Sequence, residues 1–391
     1  MNNVIYISRV CSQDTFSGLM KKRTGALHQP AQKFHDILVR GLHENGMKVK
    51  CISSLPLYNQ KIFENQTKEI DNGIEYYYAP STKYKIKPLL YMIYVFFKVV
   101  SLLRKEKESV VICDILDVSI GFGALFASKI CKKKFVGLVT DLPDDLVKQK
   151  NLFSMLSNYL IAKSDAYIFL SEFMNQKINK SNKNYVIVEG VVDKTIIPEK
   201  KEIIDEEVKK CMYAGALAEK YGVKKLVDAF VSMNNENYIL DIYGYGELEN
   251  YIEEIANQYT NINYYGLVSN QEIVEIEKKM DILINPRPSD EMFTLYSFPS
   301  KNMEYLSSGT AMLCTRLKCI PQEYHKYMYF IDDESEQGFV DAIQKHMSKS
   351  KKELCEFGYV AQKWVINNKN RIIQTKKIIT MLEKREDKDG N

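Results

Sequence analysis

Only five histidines occur in the 391 residues, and no two stand at a spacing that would hold a metal ion. The eight cysteines are scattered, at Cys11, Cys51, Cys113, Cys131, Cys211, Cys314, Cys319 and Cys355, and no Cys-x-x-Cys occurs. A zinc site and a disulfide framework are therefore excluded, and buried, reduced thiols in a cytoplasmic setting are expected. There is no Ser/His/Asp order, no nucleophile elbow and no Walker loop, which removes the common hydrolase and nucleotide-hydrolysis readings. Apolar runs are short. The longest runs from Leu89 to Phe97 and is stopped by Lys98, whereas a membrane-spanning helix needs ~20 apolar residues. The first residues, Met1-Asn2-Asn3-Val4-Ile5-Tyr6-Ile7, form a strand pattern without a basic stretch or a small-residue cleavage site. No secretory leader is expected.

What is present points to a large folded chain. Its length is too great for one ordinary core, so two domains are expected, and its apolar content of 45% suits a globular protein. The net charge of +4 hides an asymmetry. Residues 1–195 carry 28 Lys and Arg against 18 Asp and Glu, and the rest carry 26 against 32. A basic first half suits an anionic surface such as lipid headgroups, or is simply a lysine-rich solvated face. Nucleic acid is not expected, because the basic residues are not interleaved with aromatics in a recognisable module. The 89–103 stretch, flanked by Lys83, Lys85, Lys87, Arg104, Lys105 and Lys107, reads either as a core helix or as an amphipathic helix lying on a membrane.

Strand and helix patterns alternate along the chain, which predicts α/β domains with parallel sheets and crossover helices. In the first half, strands are expected at 4–7, 48–53, 73–78, 110–113, 134–138, 166–170 and 184–188, and helices at 31–43 and 121–131. The charged, aperiodic segment 198–210 reads as a linker. The second half restarts with strands at 211–214, 238–243, 262–265, 282–285, 311–314 and 329–332. Helices alternate with them from 223–233 onward, and three close the chain at 334–347, 351–367 and 372–384. Two doubly wound domains facing across a cleft follow, bounded at 1–195 and 196–368, with a C-terminal helix at 369–391 returning to the first domain. Ligands of such sheets sit beyond the carboxyl ends of the strands.

Five segments stand at those ends. Arg9 to Gly18 follows the first strand, and Ser17 and Gly18 are the small residues there suited to cradling a phosphate or admitting an acceptor. Gly215 follows the strand that opens the second domain, allows close backbone approach, and is trailed by Lys220, which suits a diphosphate. Gly244-Tyr245-Gly246 is half of a dinucleotide fingerprint without its third glycine, so a nicotinamide site is not expected and a tight turn beside the cleft is. Arg287, in Asn285-Pro286-Arg287-Pro288-Ser289, stands where it would clamp phosphate oxygens. Asp141, in Thr140-Asp141-Leu142-Pro143-Asp144-Asp145, either positions an acceptor hydroxyl or solvates a helix start. The most informative stretch runs from Ser297 to Thr310. It joins a Phe298-Pro299-Ser300-Lys301 turn to a helix bearing Glu304 and ends at Gly309. Helix-start N–H groups suit an anion and Glu304 suits a diol.

In this order the segments resemble the retaining, family 4-type glycosyltransferases of the GT-B fold, the glycosyl transferases group 1. The resemblance covers nearly the whole chain and is strongest from Met212 to Thr315. It rests on the post-strand glycine loop, the turn from Gly190 to Asp193, Lys220 with Gly222 and Val223, Gly244 with Gly246, and the Phe298-Pro299 to Glu304-Tyr305-Leu306 to Gly309 helix. It implies transfer of a sugar from a nucleotide-sugar to a glycan or lipid-linked acceptor in cell-surface polysaccharide synthesis, with retention and with no metal or other cofactor. It also implies a cytoplasmic enzyme held at the inner face of the membrane. Lys220, Glu304 and Asp141 are the implied catalytic residues. Gly215, Gly244, Arg287, Tyr296, Ser297, Phe298, Pro299, Ser300 and Lys301 complete the implied donor site, with Glu304 receiving the ribose. Two positions depart from the family. Tyr296 stands where an acid normally meets the donor sugar, and Ala216 where an arginine normally meets the diphosphate. Arg287 or Lys301 is expected to supply that missing charge. Two alternatives remain: a catalytically silent binding subunit of the same fold, motivated by these departures, and a sugar-nucleotide epimerase.

Overall fold

The computed structural model describes residues 2–21, 29–55, 68–80, 86–147, 149, 151–193, 195–198, 200 and 207–384. The expected basic flanks Lys83 and Lys85, and most of the expected linker, lie outside the described residues. The chain divides into two compact units, 1–191 with 371–391, and 192–370.

The first unit contains β1 (Asn3–Ser8), α1 (Gln13–Lys21), α2 (Gln29–Glu44), β2 (Lys48–Ser53), β3 (Lys68–Asp71), β4 (Ile74–Tyr78) and α3 (Lys87–Lys105). It continues through β5 (Ser109–Asp114), α4 (Val118–Ile130), β6 (Phe135–Val139), α5 (Leu152–Lys163), β7 (Ala166–Phe169), α6 (Glu172–Ile178) and β8 (Tyr185–Ile187). The sheet order is β3-β4-β2-β1-β5-β6-β7-β8, with every pair parallel except β3–β4. Interior strands covered by helices on both faces read as unbroken apolar runs. Accordingly every residue of β5 and β6 is buried. The edge strand β3, Lys68-Glu69-Ile70-Asp71, alternates and is charged, which guards the sheet edge.

The second unit contains β9 (Lys209–Ala214), α7 (Val223–Met233), β10 (Tyr238–Tyr243), α8 (Glu249–Gln258), β11 (Ile262–Tyr264), α9 (Asn270–Glu277) and β12 (Ile282–Asn285). After these come α10 (Phe293–Tyr296), α11 (Ser300–Ser308), β13 (Ala311–Thr315), β14 (Tyr329–Ile331), α12 (Glu336–Met347) and α13 (Lys351–Asn368). Its sheet is wholly parallel, in the order β11-β10-β9-β12-β13-β14. That is the doubly wound order, with its reversal point between β9 and β12.

The last helix, α14 (Arg371–Glu383), belongs to the first unit. Its Ile378, Met381 and Leu382 join the core built on β1, β2 and α2. The Arg371 guanidinium grips Glu44 at 2.7 Å, and the Gln374 amide donates to the Gly190 carbonyl at 2.6 Å.

Candidate functional site

The loops that leave β9, β10 and β12 are packed backbone against backbone. Gly222 has φ +76°, and a Cβ there would lie 1.9 Å from the Pro286 carbonyl oxygen. Gly244 has φ +131°, and its Cβ would lie 1.8 Å from the Gly215 carbonyl oxygen. Only glycine meets both demands, a positive φ and no side chain. The Gly-x-Gly turn is thus a spacer that lets the β10 loop rest on the β9 loop, with Leu217 N–H donating to the Tyr245 carbonyl at 3.0 Å and Gly215 N–H to the Tyr243 carbonyl at 3.0 Å. These contacts fix the strand ends at the reversal point of the sheet.

Helix α11 starts at the same edge. It carries no side-chain N-cap, and its Asn302 N–H turns back to the Pro299 carbonyl at 2.9 Å. One face is anchored: Tyr305 is fully buried, and its phenol oxygen accepts from the Ala214 N–H at 3.1 Å, at the end of β9. Asn285, at the end of β12, donates to the Asn302 amide oxygen at 2.6 Å. Two strand ends are therefore tied to one helix.

That anchoring holds Glu304 in place. Its Oε2 accepts from the Lys301 ammonium at 2.9 Å, one helical turn back. Its Oε1 is buried and has no hydrogen-bond partner among the described residues, and the Asn302 Nδ2 beside it in sequence is in the same condition. A buried carboxylate oxygen without a donor costs about 1–3 kcal/mol or more. A ligand hydroxyl pair would remove that cost.

Arg287 leaves β12 at the reversal point. Its guanidinium lies 5.2 Å from the ring centroids of both Tyr221 and Phe293, which meet each other edge to face with centroids 6.2 Å apart. Burial pushes its pKa down, against the opposing pull of Tyr221, Cys319 and Tyr213. Arginine does not give up its proton, so the guanidinium stays charged where burial disfavours charge, and an incoming anion would offset it. No carboxylate among the described residues pairs with it. Lys220 is exposed and lies over the same Tyr221 ring at 5.2 Å. Two cations therefore share one aromatic platform.

The remaining donor-site candidates behave differently. Phe298 is buried against Tyr324, with ring centroids 5.3 Å apart, and Pro299 is buried. Both are packing residues that aim the helix start. Ser297 and Tyr296 are half-buried, Tyr296 ending the short helix α10, and Ser300 is exposed at the first helical position. Ala216 is exposed, and its carbonyl accepts from the Tyr213 hydroxyl at 2.9 Å.

In the first unit the expected phosphate loop is corrected. Ser17 and Gly18 lie inside α1, not in a glycine turn. Ser12 starts that helix, its hydroxyl accepting from Thr15 N–H at 3.1 Å and its carbonyl from Phe16 N–H at 2.9 Å. Leu19 and Thr15 are buried, so the amphipathic face outweighs the local turn propensity of Ser and Gly. Asp141 follows β6 and is half-buried. Burial, with Asp114 and Asp145 nearby, raises its pKa against the hydrogen bond from Thr140.

Residues 194–364 match the family model described as glycosyl transferases group 1. The match lies within the second unit. No curated protein sequence gives a significant match to the chain. Solved structures do, across its whole length. The apo lipopolysaccharide outer core galactosyltransferase WaaB is 17% identical, with 97% of this chain and 99% of that one covered and a TM-score of 0.63. A glycosyltransferase from Rickettsia africae is 13% identical, with 98% and 100% covered and a TM-score of 0.67. HepE of Anabaena, solved with UDP and glucose, is 10% identical, with 98% and 99% covered and a TM-score of 0.62. Both units together thus have the GT-B fold.

Within the second unit the grouping of Arg287 with Tyr221 and Phe293 is not visible in the sequence, because the sheet order brings together segments that are distant in the chain. A second group was also missed. At the corresponding reversal point of the first sheet, the Tyr6 hydroxyl meets His35 Nδ1 at 2.8 Å and His35 Nε2 meets Asp114 at 3.2 Å. Arg9 there pairs with Asp117 at 3.1 Å, and Ser54 donates to the same carboxylate at 2.6 Å. The usable signal was Arg9 and Asp114, polar residues at the ends of strands β1 and β5. Among the described residues no group of three His, Cys, Asp or Glu is arranged to hold a metal ion.

Proposed function

We propose that this chain is a retaining glycosyltransferase that moves a sugar from a nucleotide-sugar to a glycan or lipid-linked acceptor in cell-surface polysaccharide synthesis, without a metal. The observation that carries the reading is the buried Oε1 of Glu304, which has no hydrogen-bond partner among the described residues and whose other oxygen is held by Lys301 near a helix start. A ribose diol satisfies the carboxylate. The diphosphate then falls toward Arg287, Lys220 and the first N–H groups of α11. In the reaction the bond between the anomeric carbon and the diphosphate oxygen breaks, and one to the acceptor oxygen forms. The charge left on the diphosphate is stabilised by those groups, and the acceptor proton passes to the departing phosphate oxygen. The family resemblance assigns Asp141 to the acceptor hydroxyl. Retention rests on the family resemblance, and UDP as donor base is supported by the ligand named for HepE.

The test is thermal shift with UDP-, GDP- and dTDP-linked sugars. A bound donor at 100 times its Kd stabilises by ~2.7 kcal/mol. Charge-assisted hydrogen bonds are worth ~1.5–3 kcal/mol, so Glu304→Ala should weaken donor binding at least about tenfold. Unchanged affinity removes Glu304 from the site. Tyr296 in place of an acid favours one second reading, a subunit that binds donor without turning it over. Release of free nucleotide by the purified chain, with or without acceptor, decides against that reading.

A further inference from the structure

The first unit has one surface that its own core does not explain. Helices α3, α4 and α5 form a continuous layer. A Cβ on Gly123 of α4 would sit 2.4 Å from the Met92 carbonyl oxygen of α3, and one on Gly121 would sit 2.7 Å from Leu160 of α5. The inner face of α3 is spent on the core through Tyr91, Val95, Val99 and Leu102. Its outward face is also apolar: Ile86, Leu89, Ile93 and Phe97 follow one another at helical spacing, all exposed, with Phe97 at 66%. Helix α4 adds Phe126 and Ile130, the latter 63% exposed, and α5 adds Leu152 at 69%, Met155 at 64% and Tyr159. Phe122 stacks on Tyr159 and packs on Phe126, each at 5.8 Å, which joins the α4 and α5 patches. Scattered apolar residues are ordinary on a protein surface, but large apolar side chains exposed together on three helices packed in one layer mark an interaction site.

Charge identifies the partner. Each of these helices returns from one parallel strand to the next, so their carboxyl ends line a single edge of the layer. Residues 104–108, 129–134 and 163–165, which form that edge, hold eight Lys and Arg against three acids. Of the acids, Glu106 is taken by Lys50 and Asp165 by Lys129. Arg104, Lys105, Lys107 and Lys132 have no ion-pair partner among the described residues, and Lys163 lies over the Tyr159 ring at 5.5 Å. Some of these charges complement helix carboxyl ends, but that accounts for one or two per helix. We infer that the outer face of α3, α4 and α5 docks on an anionic lipid surface, with the apolar stripes entering the interface and the basic edge meeting the headgroups. None of the described helices is long and apolar enough to cross a membrane. The inference draws its purpose from the lipid-linked acceptor proposed above, but its measurement needs neither donor nor acceptor.

The test is co-sedimentation of the full chain with vesicles of phosphatidylcholine alone and of phosphatidylcholine mixed with phosphatidylglycerol. Binding is expected to the mixed vesicles and to fall with salt. Two triple variants, Phe97→Ser/Phe126→Ser/Ile130→Ser and Arg104→Glu/Lys105→Glu/Lys132→Glu, should each lower partitioning at least about tenfold while keeping the wild-type Tm, because all six side chains are solvent-facing. Absence of wild-type binding to the mixed vesicles overturns the inference, as does equal binding by both variants. A dimer that the serine variant dissociates, with vesicle binding unchanged, would assign the face to a protein partner and also overturn it. Donor thermal shift in the same variants should be intact. Vesicle binding without any donor shift would count against the glycosyltransferase reading alone.

Discussion

Arg287 holds a partly buried positive charge that aromatic rings offset only in part. The guanidinium is stripped of much of its water beside Tyr221 and Phe293 and has no carboxylate partner among the described residues. Such a group destabilises the empty protein and stabilises a bound diphosphate, the usual opposition between site and stability. Arg287→Met should therefore raise Tm in the absence of ligand and lower donor affinity at least about tenfold, since hydrogen bonds to charged groups contribute ~1.5–3 kcal/mol. A fall in both would make Arg287 a structural residue. Asp141 is raised for a related reason, burial reinforced by neighbouring carboxylates. Its folded pKa lies above the ordinary 3.8, so its contribution to stability is full below that value and is lost as pH rises through the folded pKa. Asp141→Asn cannot acquire the charge. Relative to wild type it should be more stable at neutral pH, and the difference should vanish below pH 3.8. A Tm difference that is the same at both pH values would mean that Asp141 titrates normally.

Regular elements were legible where one physical signal dominated. The strands β2, β10 and β12 and the helix α7 begin and end where the sequence places them, because buried parallel strands are apolar runs bounded by turn residues and α7 has an unbroken helical period. Helices α1, α5 and α6 and the edge strand β3 were not read. In α1 a Ser-Gly pair imitates a turn, in α5 the apolar residues fall on both faces, and β3 is too short and charged to stand out. For the 89–103 stretch the sequence left two readings open, and the structure gives one helix with a buried face and an exposed apolar face. Its contact with α4 depends on Gly123, whose missing side chain lets two backbones touch. Overpacking a tight contact costs about 1–3 kcal/mol, so Gly123→Leu should lower the denaturant midpoint, by that free energy divided by the m-value. An unchanged midpoint would show that α3 yields freely.

The chain passes between the two units twice, at Val191–Val192 and at Asn370–Arg371. On the second-unit side both passages are tied together, Val192 N–H donating to the Lys369 carbonyl at 3.0 Å. Lys369 itself is buried, with its ammonium on Glu323 at 2.5 Å and over the Tyr324 ring at 4.9 Å. After that point α14 leaves the second unit and completes the other one. Its Ile378, Met381 and Leu382 lie in the core with Leu38 and Leu42, and removing one such side chain costs about 2–5 kcal/mol. Folded domains are stable by only ~5–15 kcal/mol, so the loss of all three, with the Arg371–Glu44 pair, exceeds what the first unit can sustain. Ending the chain after Asn370 should therefore unfold residues 1–191 and leave 192–370 folded, although the deletion lies next to the second unit in sequence. Limited proteolysis should then cut throughout the first half while a fragment beginning near Val192 survives and retains its donor-induced thermal shift. Survival of the first half instead would mean that α14 is an accessory to that core and not part of it.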